Sequence, residues 1–142
     1  MLRAMLLTAV LAVGLTQAAS AATLHFHATL NGATEVPPHS VPGTGELLAT
    51  LDTKTKALTY TLTFVGLTGP ATMAHFHGPA KPGANAGVVV PFPTPVTSPA
   101  SATVTLTDAQ IKQLTSGLWY ANVHTAANPG GEIRGQVLRA SD

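Results

Sequence analysis

The 142-residue chain contains no cysteine. Disulfide staples, on which small exported domains often rely, are therefore excluded, and so is the lipid-modified cysteine of a bacterial lipoprotein. Charge is scarce as well: Asp, Glu, Lys and Arg make up 9% of the residues, with a formal net charge of +1, where soluble proteins typically carry about a quarter. With no long basic run, the chain offers nucleic acid no electrostatic footprint. Six acidic residues, isolated from one another, yield neither a close carboxylate pair for glycoside hydrolysis nor an all-oxygen calcium site. A Gly-x-Ser-x-Gly elbow, a phosphate loop and a dinucleotide fingerprint are all missing. Aromatics amount to 5%.

Also lacking is an apolar run of the ~20 residues needed to span a bilayer. What stands at the N-terminus is shorter: Arg3, an apolar stretch from Ala4 to Leu15, then Ala19-Ser20-Ala21. This three-part layout predicts a secretory signal peptide over residues 1–21, cleaved after Ala21. Removing 21 of 142 residues leaves 121, and the loss of Arg3 brings Lys and Arg to six against six acids. The mature domain, residues 22–142, is then neutral, free of membrane anchorage, and periplasmic or secreted. At this size a chain buries about two-thirds of its unfolded surface, enough for a core without staples.

From Thr23 onward the periodicity is that of strands. "TLHFHATLNG" alternates, with Leu24, Phe26, Ala28 and Leu30 on one face and His25, His27 and Thr29 on the other, as a half-buried strand does. "GELLATLDTKTKALTYTLTFVGL" reads as two strands around a turn at Asp52 to Lys56, its β-branched Thr face favouring strand over helix. "ATMAHFHG" is another strand. "VVVPF" is a short one that Pro91 confines to an edge or a bulge. "ATVTLT" follows a Pro/Ser/Thr connector. Thr107 and Gln110 form a capping box for one short helix that stops at Gly117. "LWYANVHT" and "EIRGQVL" close the chain as a hairpin. Short strands at regular spacing predict an all-β fold, a Greek-key-like antiparallel β-sandwich or flattened barrel with one short helix.

Alternation also sorts the polar residues. If Ala74 and Phe76 face the core, His75 and His77 leave the opposite face together. Tyr120, Asn122 and His124 form a second outward stripe, and Glu132, Arg134 and Gln136 a third. Histidines at i and i+2 on a strand are placed to chelate one ion, with nitrogens about 2.0–2.1 Å from a zinc. His124 is the candidate third ligand, and Glu35, Asn122 and Glu132 are candidates for an additional ligand or for supporting contacts. A sulfur-free, imidazole-rich set suits copper, zinc or iron(II). The alternative is that the histidines are merely solvated. His25 and His27, close to the mature N-terminus, read as solvated residues, and His39 as a surface residue. Arg134 with Glu132 or Glu35 reads as a structural ion pair.

"LNGATEVPP", "LTYTLTFVGLTG", "AHFHGPA" and "GLWYANVHTAANPGGEIRGQV", in that order, resemble the CHRD (chordin-type) domain family over about Thr23 to Leu138. The resemblance implies a fold more than an activity. His75, His77 and His124 match its pattern, as do Glu35, Asn122, Glu132 and Arg134; His25 and His27 do not. A looser likeness, of the His-x-His strand and its Gly/Pro loop, is to the outer-face copper strand of the Cu/Zn superoxide dismutase β-sandwich. The disulfide cysteines of that enzyme are absent, and "GPAKPGANAGVVVPF" carries no histidine for a zinc loop. The functional expectation is an exported domain binding one copper or zinc ion through His75, His77 and His124. A mononuclear superoxide-directed enzyme is its narrower form. The competing class is a metal-free module whose polar face docks a protein or glycan.

Overall fold

A computed structural model describes residues 21–141. The expected signal peptide lies outside them save for its final residue. Among the described residues eight strands form: β1 (Thr23–Asn31), β2 (Thr44–Asp52), β3 (Ala57–Val65), β4 (Ala71–His77), β5 (Val88–Pro91), β6 (Ala100–Thr105), β7 (Trp119–Thr125) and β8 (Ile133–Arg139). Between β6 and β7 lies α1 (Asp108–Thr115). Its capping box is made in full, with Thr107 Oγ1 accepting from the Gln110 amide and Gln110 Oε1 accepting from the Thr107 amide. Gly117, at φ 69°, ends it. A 3-10 turn (Gly32–Thr34) after β1 was not legible in the sequence. No helix among the described residues is long and apolar enough to cross a membrane.

The strands make one sheet in the order β5-β4-β7-β8-β1-β2-β3-β6, with every pairing antiparallel. The sheet curls so that its halves face each other. β3 and β4 are far apart in that order, yet the Tyr60 ring on β3 lies 5.1 Å from that of Phe76 on β4, edge to face. Phe92, just beyond β5, fills the gap at 4.4 Å from Tyr60 and 5.0 Å from Phe76. Such aromatic packing adds to the area-driven burial that holds the halves together. Of the residues that alternation assigned to the inner face, Phe26, Ala28, Leu30, Ala74 and Phe76 are buried there, and Leu24 is partly buried against them. The fold is thus all-β, a sheet rolled into a half-barrel with a sandwich-like core.

The outer face is where expectation and structure part. Tyr120, Asn122, His124, Glu132 and Arg134 sit on the side away from the core, as alternation requires. They are nevertheless buried, with Glu132 0% and Arg134 2% exposed. The reason is a second cover. The loop from Gly78 to Gly87 folds back over β7 and β8, and the segment after β1 meets it there, with Asn85 Nδ2 donating to Val36 O at 3.1 Å. Gly78 permits the fold-back: a Cβ there would lie 2.5 Å from Trp119 Cδ1, a contact no other residue could make. His25 and His27, beyond this cover, are exposed as expected.

Candidate metal centre

β4 and β7 pair with His75 opposite Asn122, His77 opposite Tyr120 and Met73 opposite His124. Period-two alternation on each strand therefore brings the three histidines onto one patch. His75 Nδ1 lies 3.0 Å from His124 Nε2, and each of the three side chains offers a nitrogen within 4.8 Å of the others. Nitrogens sharing one tetrahedral zinc at about 2.1 Å stand about 3.4 Å apart, so the three side chains close on an ion with a shift of at most about 1.4 Å. His77 and His124 are buried and His75 is partly exposed, which leaves the patch one open side.

The hydrogen-bond partners decide what the rings present. His77 Nδ1 faces Ala86 O at 2.9 Å, and His124 Nδ1 faces Pro129 O at 2.9 Å. A carbonyl only accepts, so both rings carry hydrogen on Nδ1. In the neutral form Nε2 is then a bare lone pair. Both lone pairs point at the same atom, Asn122 Oδ1, at 3.0 Å each. The other end of the amide packs beside Glu35, where a Cβ built on Gly131 would meet Glu35 Oε1 and, at 2.7 Å, Asn122 Nδ2. Turned round, the amide would donate its two Nδ2 hydrogens to the two lone pairs. In the orientation present three acceptors converge, with His75 Nδ1 as the hydrogen source beside them. Carbonyl-fixed imidazoles with free Nε2 atoms are how proteins prepare metal ligands.

Electrostatics act in the same direction. Burial, with the neighbouring His124 and His77, pushes the His75 imidazolium down to about 4. Burial also lowers His124, against the Pro129 carbonyl, which favours its charged form. Both rings are neutral at pH 7, the state a metal requires.

The supporting residues divide. Asn122 and Glu35 belong to the histidine patch. Glu35 is buried, its Oε1 has no hydrogen-bond partner, and burial raises its carboxyl against the pull of the Val36 amide and Arg134. Glu132 serves the neighbouring loop. It accepts from the Thr68 amide (2.7 Å), Thr68 Oγ1 (2.6 Å), Thr125 Oγ1 (2.5 Å) and Asn128 Nδ2 (3.1 Å). Burial raises its carboxyl, but these donors outweigh burial and hold it below the usual range. The expected ion pair of Arg134 with an acid does not form. Its guanidinium donates to Asn85 Oδ1 (2.9 Å) and Ala84 O (2.5 Å) and lies 3.4 Å over the Tyr120 ring. The covering loop reaches the cation with neutral acceptors before any carboxylate does.

A family model for the CHRD domain matches residues 26–137. The chain belongs to the CHRD domain family. No curated protein matches it, and neither does any solved structure. The CHRD match spans all eight strands except their outermost ends, and the histidine patch lies within it.

Sequence reasoning missed Tyr120, which stacks in parallel on His77 at 4.7 Å and bonds the Ala86 carbonyl through its hydroxyl at 3.2 Å. The signal was present, since Tyr120 shares its face with Asn122 and His124. The carbonyls of Ala86 and Pro129 had no such signal.

Proposed function

We propose that this CHRD-domain chain is exported and binds one transition-metal ion, copper or zinc, through His75, His77 and His124. The observation that carries the reading is the grouping of three histidine nitrogens within 4.8 Å of one another, with His77 and His124 held by backbone carbonyls at Nδ1 so that their Nε2 atoms are free to ligate. Imidazole nitrogen without thiolate suits copper and zinc alike. Asn122 and Glu35 would orient the patch, and the partly exposed His75 side would admit the ion. As a binder, the domain would buffer or deliver metal in the periplasm or outside the cell. Superoxide-directed chemistry would need a redox metal with an open coordination position, and redox assays come after loading is established.

A second reading, a metal-free module docking a protein or glycan, is favoured by one contact. His75 Nδ1–H can donate to His124 Nε2 at 3.0 Å and satisfy one lone pair without an ion. The test is elemental mass spectrometry on the untagged mature protein from its own compartment, followed by metal titration. Near-stoichiometric copper or zinc, lost in His75→Ala and kept in His39→Ala, is the expected result. A protein that carries no metal and takes none up refutes the metal reading.

A further inference from the structure

Three nitrogens leave a copper or zinc ion one ligand short of four. On β4, Met73 precedes His75 by two residues and so shares the face of His75 and His77. It is also the cross-strand partner of His124. That pair continues the regular register of the two strands, which shifts only beyond it, between Ala71 and Met73. Directly opposed residues have Cβ atoms about 4.5–5.5 Å apart, and the three rotatable bonds of methionine give its sulfur freedom to swing toward the His124 ring. The side chain is not part of the core: it is 43% exposed, while its chain neighbour Ala74 is buried. It stands at the open rim of the histidine patch. The other two methionines of the chain are Met1 and Met5, within the expected signal peptide.

We propose that Met73 is the fourth ligand of this site, its thioether closing the rim of the His75–His77–His124 patch and making it a copper(I) site in preference to a zinc site. Thioether sulfur is a soft donor and selects copper(I), whereas zinc is served by imidazole alone. Among the described residues of a chain lacking cysteine, Met73 supplies the one soft atom beside the cluster. The inference rests on the histidine reading above and adds to it the identity of the metal.

The test is competition of the mature protein with bicinchoninate for copper(I) under anaerobic conditions, beside chelator competition for zinc(II), for the wild type and Met73→Leu. Leucine conserves volume at an exposed position, so the fold is kept. Copper(I) affinity is expected to fall tenfold or more while zinc affinity stays within twofold. In protein grown on selenomethionine, Met73 is the one label in the mature chain, and X-ray absorption should show selenium next to copper. Unchanged copper(I) affinity in Met73→Leu, or an equal loss for zinc, overturns the role of Met73 while leaving the histidine site standing. A wild type that binds neither metal overturns both.

Discussion

Gly131 tests the placement of Glu35 and Asn122 more directly than any change to the histidines. Its φ is 129°, and a Cβ there would collide with Glu35 Oε1 and approach Asn122 Nδ2 to 2.7 Å. Two costs therefore add in Gly131→Ala. Backbone in a region populated essentially by glycine costs about 1–3 kcal/mol, and overpacking a filled site about 1–3 kcal/mol more. The sum, about 2–6 kcal/mol, is a large part of the roughly 5–15 kcal/mol of a typical domain. Two other glycines separate the contributions. Gly83 has φ 82° with nothing within 4 Å of the place a Cβ would take, so Gly83→Ala carries backbone strain alone. Gly130 has open space and no unusual φ, so Gly130→Ala should fall within about 0.5 kcal/mol of the wild type. In urea, where m is about 1–3 kcal/mol per molar, the Gly131→Ala midpoint should drop by about 1–3 M, well beyond that of Gly83→Ala. Equal effects at Gly131 and Gly83 would refute the contact with Glu35, and with it the account of how Asn122 is packed.

Two further outcomes follow from the buried polar groups. The folded His75 imidazole sits at about 4 against 6.5 when free, so the unfolded chain takes up its proton first. Metal-free stability should be unaffected by this group above pH 6.5, fall as pH drops from about 6.5 toward 4, and level off below. Glu35, raised by burial, titrates with the opposite sign, so the quantity to measure is the difference between wild type and His75→Ala across that window; a flat difference contradicts the assignment. Glu132→Gln removes the charge from four hydrogen bonds, two that tie Thr68 to the β7–β8 hairpin and two within that hairpin. A loss of about 2 kcal/mol in urea unfolding is expected, with metal affinity unchanged; affinity falling in step would place Glu132 among the groups serving the ion.

Alternation made most of the fold readable. Phe26, Ala28 and Leu30 face inward because strand side chains repeat every two residues, and Thr107 with Gln110 marked the helix start through two local hydrogen bonds. The same rule put His75 and His77 on one face and His124 on a neighbouring strand. It could say only which side of the sheet a residue takes, and not whether that side is wet. The cover over Arg134 and Asn122 comes from an aperiodic loop whose main holds are backbone carbonyls, Ala84, Ala86 and, in the last hairpin, Pro129. Every residue type carries a carbonyl, so nothing in the letters announces these acceptors. Met73 shares the face of His75 and His77 by the same period, although an apolar side chain in a strand suggests core.

The rolled sheet is not closed, and its two margins are unlike. At β5, Phe92 N–H turns inward to Ala74 O at 2.9 Å, so the residue before it, Pro91, turns its nitrogen outward. That margin lacks a donor where an added strand would need one. At β6, Ala100–Thr105 presents an ordinary run of outward amides and carbonyls. Copies stacking margin to unlike margin would have to use both, and such polymers propagate without end. Proline at one of them acts as a chain terminator: it withholds a donor from every such junction and so works against a fibre built through this sheet.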